Sequence, residues 1–160
     1  MTEQLIEFPI YDKHGHKYRL AMVEDEHGIY SQLWDNCYPV GRLNLVFHPP
    51  DKWEITDIVV FDEIQEEVGW LQRLALGFTG HKPQKVDYRN RGLGTALLQF
   101  VEERARQRQV KCIIGSVTKK DYAAWPELLN WYAKNGFVVK LMCDEQNEHR
   151  DVACISKDIA

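Results

Sequence analysis

The first third of the chain shows the alternation of apolar and polar residues that is typical of β-strands. One stretch reads Arg42, Leu43, Asn44, Leu45, Val46 and Phe47. This period of two indicates a sheet with one wetter face. Short turn-like segments separate four stretches of this kind, so the pattern predicts an antiparallel meander. Its predicted strands are residues 18–23, 28–34, 40–47 and 53–61.

The last strand of this meander differs from the others. It follows a breaker of two prolines and an aspartate at residues 49–51, and it ends in an apolar run at residues 58–60. A strand that is apolar on both faces is normally covered on both sides. We therefore expect this strand to lie centrally in the sheet.

The hydrophobic period changes after residue 61. Apolar residues recur at helical spacing: Ile64, Val68, Leu71 and Ala75. With acidic residues in the first turns and Gly77 as a stop signal, this spacing predicts a short amphipathic helix at 62–76. Gly69 would cost about 1 kcal/mol relative to alanine inside that helix, so a further strand at 68–78 stays open as the alternative.

The second half of the chain contains the clearest helical pattern. An apolar stripe consists of Leu93, Leu97, Phe100, Val101 and Ala105. It predicts a long helix at 92–107. A strand at 111–118 and a helix at 126–135 follow, with Pro126 suited to the first turn and Gly136 to the position just past the end. The tail predicts two strands, 137–143 and 152–156, joined by a polar loop.

Composition and charge narrow the class of protein. The 160 residues, 44% hydrophobic and 28% charged, predict one globular domain spanning residues 1–160. A net charge of −4 gives no general reason to expect DNA or RNA as a partner. The four cysteines form no C-x-x-C pair, so we expect no disulfide framework.

The sequence also lacks the signals of a membrane protein. It has neither a basic-then-apolar leader nor an uninterrupted run of about 18 apolar residues. We therefore expect a cytoplasmic protein with no membrane partner. His14 and His16 lie in a glycine turn without a clear third ligand, so we predict no metal.

The segment from Arg89 to Gly94 carries the strongest chemical signal. It reads Arg-Asn-Arg-Gly-Leu-Gly and lies where a strand region leads into the long helix. The first turn of a helix offers backbone N–H groups without partners and a partial positive charge, and glycines let a phosphate approach the backbone. Lys82 and Lys85 add positive charge just upstream. The segment predicts a pyrophosphate site.

Two other phosphate-binding motifs do not match these residues. A dinucleotide fingerprint requires a third glycine where the chain has Leu97, and an acid further on where residues 111–118 offer none. A Walker loop requires Gly-Lys-Ser/Thr, whereas Gly94 is followed directly by Thr95.

The remaining pattern resembles the GNAT superfamily of N-acetyltransferases (general control non-repressible-related). Its pyrophosphate loop reads Arg/Gln-x-x-Gly-x-Gly/Ala at the start of a helix, and Arg89, Gly92 and Gly94 match it. Residues 131–137 are similar to the family's second motif, in which a tyrosine, here Tyr132, precedes the phenylalanine of a Gly-Phe pair by five residues. Both motifs occur in the family's order.

The resemblance implies an α+β fold with a mixed, mostly antiparallel central sheet flanked by helices. It implies that the strand at 54–60 splays from its neighbour to hold the thioester of acetyl-CoA, which is the expected cosubstrate. The residues expected to bind it are Val59, Val60, Arg89, Asn90, Arg91, Gly92, Leu93, Gly94 and Thr95. The acceptor is an amine of unidentified structure.

The implied reaction is direct attack of a neutral amine on the thioester, and it requires three groups. A backbone N–H of Val60 or Val59 is the candidate donor to the oxyanion. Glu54 and Asp57 are the candidate bases, although alternation of side chains in a regular strand would keep them on opposite faces. Tyr132 matches the family position that donates a proton to the departing thiolate.

The chain departs from the family pattern in three places. Residues 62–84 form an unusually long connection, which we expect to border the acceptor site or a subunit contact in a homodimer. Before Gly28 there is no room for the two usual N-terminal helices, so this helical region is reduced. Trp125 replaces a cofactor-contacting asparagine and is interpreted as core or as a pocket wall.

Two classes of function follow. The first is an active N-acetyltransferase, favoured by the loop glycines and Tyr132. The second is an inactive GNAT-like module that binds CoA or a protein, which the insertion and the missing helices would suit.

Overall fold

The computed structural model describes residues 5–61, 87–142 and 151–159. The strands in these ranges are β1 (Leu5–Tyr11), β2 (Lys17–Glu24), β3 (Gly28–Asp35), β4 (Tyr38–His48), β5 (Lys52–Val60), β6 (Cys112–Thr118), β7 (Val138–Leu141) and β8 (Asp151–Asp158). The helices are α1 (Leu93–Gln107), α2 (Lys119–Ala124) and α3 (Leu128–Lys134).

The described strands form one sheet in the order β1-β2-β3-β4-β5-β6-β8-β7. All neighbours are antiparallel except β5 and β6, which are parallel. The predicted meander and the central place of β5 are confirmed. This mixed, mostly antiparallel sheet with its flanking helices is the fold that the sequence led us to expect.

Two elements were not predicted from the sequence. Strand β1 contains Pro9, which weakens a strand signal but is tolerated where the strand has a neighbour on one side, as β1 has in the described sheet. Helix α2 is short and begins where Thr118 accepts a hydrogen bond from the Asp121 N–H. This pair is a capping signal that the sequence did contain.

Helix α1 packs against one face of the sheet through the predicted stripe. Leu93, Leu97, Val101 and Ala105 are buried, and Leu98 joins them. The sheet contributes buried residues to the same core: Leu20, Met22, Ile29, Leu33, Leu43, Leu45, Trp53, Ile55, Ile113 and Ile155. Burial of this apolar surface holds α1, and with it the loop that precedes it, in a fixed place over the sheet.

Several predictions fall outside the described residues. They are the helix at 62–76 with its strand alternative, the insertion at 62–84 with its two lysines, and the loop at 144–150. These remain predictions.

Candidate active site

The two parallel strands separate halfway along their length. They pair only where residues 52–55 of β5 lie beside residues 112–115 of β6. Beyond Ile55 and Gly115, β5 continues to Val60 and β6 to Thr118 without pairing to each other. We call the space between these unpaired halves the gap. It is the splay that the family resemblance implied for this strand.

A β-bulge lies at the point where the gap opens. Asn44 of β4 faces Asp57, whereas Leu45 faces Ile55, so Thr56 is the extra residue. The Thr56 hydroxyl donates to the carbonyl oxygen of Asn44 at 3.2 Å. A bulge bends its strand and re-aims the following side chains. The bulge therefore accounts for the change in direction of β5.

The bulge corrects our expectation for the two acids. Glu54 lies opposite Val46 and Asp57 opposite Asn44. Residues directly opposite each other in an antiparallel pair share a face, and Val46 and Asn44 are two positions apart. Glu54 and Asp57 therefore lie on the same face of the sheet. The regular alternation assumed from the sequence is broken by one residue.

The two acids differ in their distance from the gap. Glu54 lies in the paired half of β5 and forms a 2.7 Å contact with His48 Nε2. Asp57 lies beyond the bulge, where it accepts a hydrogen bond from Arg42 Nε, and its charge acts on the Tyr132 phenol. Asp57 is thus the acid that borders the gap.

The hydrogen-bond pattern between β4 and β5 distinguishes the two candidate oxyanion donors. The Phe61 N–H donates to the Val40 carbonyl at 2.9 Å. In an antiparallel pair successive N–H groups point to opposite sides, so the Val59 N–H is directed at β4 and the Val60 N–H away from it. The Val60 N–H therefore points into the gap, and the Val59 N–H does not.

The start of α1 has the geometry of an anion site. Gly92 caps the helix with φ of 82°, a left-handed conformation that favours glycine, and Asn90 has φ of 61°. The first intrahelical bond runs from the Ala96 N–H to the Gly92 carbonyl at 3.0 Å. The N–H groups of Leu93, Gly94 and Thr95 consequently have no acceptor within the helix.

The two arginines of the loop have protein partners. Arg89 Nε lies 3.1 Å from Asp87 Oδ1, and these hydrogen bonds lower the pKa of the Asp87 carboxyl. Arg91 donates to the Tyr18 hydroxyl at 3.2 Å and lies 3.8 Å from Asp12. The Arg91 guanidinium therefore faces the first hairpin of the sheet.

The turn between β1 and β2 contacts the loop that precedes α1 and holds it in place. The Lys13 N–H donates to the Arg91 carbonyl at 2.9 Å, and the Tyr18 hydroxyl donates to Asp12 at 3.2 Å. Burial alone would raise the pKa of Asp12, but hydrogen bonds from the His16 and His14 N–H groups and from Tyr18 lower it. We refer to Asp12, Lys13, Tyr18 and Arg91 as the loop clamp.

Sequence reasoning missed all of this clamp except Arg91. The turn itself was readable, because an aspartate that accepts the N–H two residues on is a known turn signal. Its contact with Arg91 was not, because Tyr18 and Arg91 are 73 positions apart.

Trp131 links the start of α1 to α3 and was also missed. Its Nε1–H donates to the Thr95 hydroxyl at 3.3 Å. A Cβ added at Gly94 would lie 3.1 Å from the indole, a tight contact that a small shift of the ring would relieve, so glycine also suits the packing here. Trp125 lies 5.6 Å from Trp131, ring centre to ring centre, and is 45% exposed. The core interpretation of Trp125 is wrong, and the pocket-wall interpretation stays a prediction.

Tyr132 is the buried residue of α3. Its ring is 5% exposed and packs edge-on against Trp131 and Phe137, with ring centres 4.8 and 5.5 Å apart. Burial raises its pKa strongly, and the charges of Asp121 and Asp57 raise it further. Among the described residues its hydroxyl has no hydrogen-bond partner. Tyr132 thus presents a neutral phenol whose donor proton is not committed to those residues.

The described part of the chain shows no candidate metal-binding site. Its residues contain no group of three or more potential metal ligands, and His16 pairs with Asp35 at 3.0 Å. None of the helices in the described ranges is long and apolar enough to cross a membrane.

Comparison with known proteins gives a family and a set of similar folds. The model of the acetyltransferase (GNAT) family matches residues 2–137. A GNAT-family acetyltransferase from Staphylococcus aureus Mu50 is 17% identical, with 83% of this chain and 69% of that chain covered and a TM-score of 0.54. Among curated proteins, none matches the chain significantly.

Two similar structures are complexes with coenzyme A. A Bacillus subtilis acetyltransferase is 17% identical, with 84% of this chain and 79% of that chain covered and a TM-score of 0.52. The PaiA N-acetyltransferase of Thermoplasma acidophilum is 15% identical, with 82% and 61% covered and a TM-score of 0.51.

Proposed function

The chain belongs to the GNAT acetyltransferase family, and on this premise we propose that it transfers an acetyl group from acetyl-CoA to a primary amine by direct attack. The observation that carries the proposal is the gap: β5 and β6 diverge beside Asp57 and Val60, and Tyr132 lies near enough for the charge of Asp57 to raise its pKa. These three residues are of the types that the reaction requires.

The start of α1 is the proposed site of the CoA pyrophosphate. Three N–H groups without helical partners, at Leu93, Gly94 and Thr95, fit an anion, and the partial positive charge of the helix adds to the attraction. Because β5 and β6 are parallel, the helix that connects them starts at the edge where β5 ends. An elongated thioester held there can extend into the gap.

The Val60 N–H is the proposed donor to the oxyanion. It points into the gap and is held by a strand that remains paired to β4 on its other side. A fixed donor of this kind does not have to reorganise when charge develops, and removing one typically costs about 3 to 4 kcal/mol.

Asp57 is the proposed acceptor of the amine proton, directly or through water. An alkylamine with pKa near 10.4 is neutral only about one part in a thousand at pH 7.4, a handicap of roughly 4 kcal/mol. An acid beside the gap can hold the ammonium form and take its proton as attack begins. Glu54 remains a weaker candidate because it lies in the paired half of the strand.

Tyr132 is the proposed partner of the departing sulfur. Its raised pKa lies well above that of a thiol, near 8.5, so full transfer of its proton to the thiolate would be uphill. A hydrogen bond donated to the developing negative charge has no such cost. Tyr132 therefore acts by stabilising the thiolate, and solvent supplies the proton afterwards.

The test combines binding and turnover. Calorimetry with CoA measures occupancy of the loop, and release of free thiol from acetyl-CoA is followed with polyamines, aminoglycosides, amino acids and lysine peptides as acceptors. We expect CoA to bind and at least one amine to give thiol and an N-acetyl product by mass spectrometry. CoA binding without turnover for any amine would instead identify a binding module.

A further inference from the structure

A shallow concavity lies on the face of the sheet opposite α1. Its volume is about 520 Å³, and its polar and aromatic lining comes from Arg19, Tyr30, Gln32, Trp34, Arg42 and Asn44. In β4 these positions alternate with Leu43 and Leu45, which are buried beneath α1.

Arg42 connects this concavity to the gap. Its side chain lines the concavity and is 50% exposed, and its Nε–H donates to Asp57. Its two terminal nitrogens form no other hydrogen bond with the described residues. One guanidinium thus meets both the proposed proton acceptor and an open surface.

Two aromatic residues of β3, Tyr30 and Trp34, also line the concavity. Tyr30 is half exposed, and the Arg19 guanidinium lies 5.6 Å from the centre of the Trp34 ring. Arg19 also forms a half-exposed ion pair with Glu7. The surface beyond Arg42 is therefore suited to a planar or apolar group.

On the basis of the function proposed above, we propose that the acceptor is a free α-amino acid with an aromatic side chain. Its ammonium would pair with Asp57, its carboxylate with the terminal nitrogens of Arg42, and its side chain would lie against Trp34 and Tyr30. An α-amino acid carries both charges on one carbon, so it offers the complement of the Arg42–Asp57 pair at short spacing.

The charge balance gives the selectivity. A simple amine would pair with Asp57 but draw it away from Arg42, leaving a guanidinium without a counter-charge. The Arg42 side chain is half exposed, so water meets part of this loss and the remaining cost is modest. The carboxylate of an amino acid removes this cost.

The proposed step is balanced. A bond forms between the α-nitrogen and the acetyl carbon, and the C–S bond of the thioester breaks. The bound ammonium loses two protons, one to Asp57 as attack begins and one to solvent from the tetrahedral intermediate, and the departing sulfur gains one from solvent. One proton is released overall once Asp57 passes its proton to water. The products are an N-acetyl amino acid and free CoA.

The experiment compares phenylalanine with phenethylamine and phenylalaninamide, which keep the amine and ring but lack the carboxylate. We expect kcat/KM for phenylalanine to exceed both by at least about 10-fold. Arg42→Gln should lower kcat/KM for phenylalanine about 10- to 100-fold and change that for phenethylamine much less. Arg106→Gln is the matched control, because Arg106 is 47% exposed but lies on α1, and it should leave both values unchanged.

The outcomes separate this inference from the proposed function. Equal rates for the three compounds, an unchanged preference in Arg42→Gln, or turnover only of polyamines or lysine peptides would each overturn the amino-acid acceptor while leaving acetyl transfer in place. CoA binding without thiol release for any amine would overturn acetyl transfer, and the acceptor assignment with it.

Discussion

Replacing Tyr132 by phenylalanine isolates a single hydroxyl in the candidate site. The ring packs against Trp131 and Phe137 at centre distances of 4.8 and 5.5 Å, and phenylalanine retains both contacts. The lost hydroxyl has no hydrogen-bond partner among the described residues. We therefore expect the fold and the affinity for CoA to survive the change.

The expected loss of rate follows from the protonation state of the phenol. Burial keeps Tyr132 neutral, so it would contribute one hydrogen bond to a developing thiolate. Hydrogen bonds to charged groups contribute about 1.5 to 3 kcal/mol. At about 1.4 kcal/mol per factor of ten, Tyr132→Phe should lower kcat about 10- to 150-fold.

The assay is steady-state thiol release from acetyl-CoA, with the CoA dissociation constant measured by calorimetry on the same preparations. A loss confined to kcat marks an interaction made in the transition state. Because the Tyr132 pKa is raised from an ordinary 10.0, the ratio of wild-type to variant kcat should stay constant between about pH 7 and 9. Tyr11→Phe, which removes a hydroxyl from a tyrosine that is 53% exposed, is the control.

Three results would refute this reasoning. Wild-type kcat in a folded Tyr132→Phe protein would make Tyr132 a packing residue. A change confined to KM would mean that the hydroxyl binds substrate equally in the ground state. A ratio that collapses between pH 7 and 9 would show that the phenol ionises there, contrary to its burial.

Further substitutions test the loop, its clamp and the buried tyrosine that precedes the loop. Gly94→Asp should abolish CoA binding in calorimetry, whereas Gly94→Ala, whose Cβ meets Trp131 in the same way at 3.1 Å, should retain most of it. Arg91→Gln should lower the free energy of unfolding by about 1 kcal/mol and therefore Tm by about 2 to 4 °C. Tyr18→Phe should lower Tm less in the Arg91→Gln variant than it does in the wild-type protein, because the two residues share a hydrogen bond. Tyr88 is buried, and its hydroxyl donates to Asp35 at 3.1 Å. Burial raises its pKa to about 12, so the fold should lose stability as pH rises from 10 towards 12, and Tyr88→Phe should flatten that slope of Tm against pH.

Alkaline pH destabilises the fold because the pKa of Tyr88 is higher in the folded state than in the unfolded one. The unfolded phenol loses its proton near its ordinary value of 10.0 while the folded one keeps it, so raising the pH favours unfolding. An equal slope in Tyr88→Phe would remove this assignment. Gly94→Asp with the CoA affinity of Gly94→Ala would remove the phosphate role of the loop. Fully additive Tm losses for Arg91 and Tyr18 would show that the two do not act together.

The local patterns of the sequence were sufficient for most of the fold. Alternation predicted β2 to β5, the stripe from Leu93 to Ala105 predicted α1, and the glycines identified the loop before it. These signals are readable because each depends on residues within one or two turns or strands of one another. Strand β1 escaped, since Pro9 within it reads against a strand unless its edge position is known.

Tertiary structure alone decided which candidate residues share a site. Alternation placed Glu54 and Asp57 on opposite faces, and the one-residue bulge at Thr56 placed them on the same face. Val59 and Val60 are identical residue types, so the sequence does not distinguish them. The hydrogen-bond pattern with β4 directs the Val60 N–H into the gap and the Val59 N–H away from it.

The partners of the loop were equally hidden in the sequence. Arg91 reads as a phosphate ligand, yet its guanidinium is bonded to Tyr18, 73 positions away, and Gly94 is close-packed against Trp131. Sequence determines local conformation through neighbouring residues, so motifs and periods can be read directly. Bulges, ladder phase and contacts between distant segments arise only when the sheet has assembled, and they decide which groups of this acetyltransferase fold face one another.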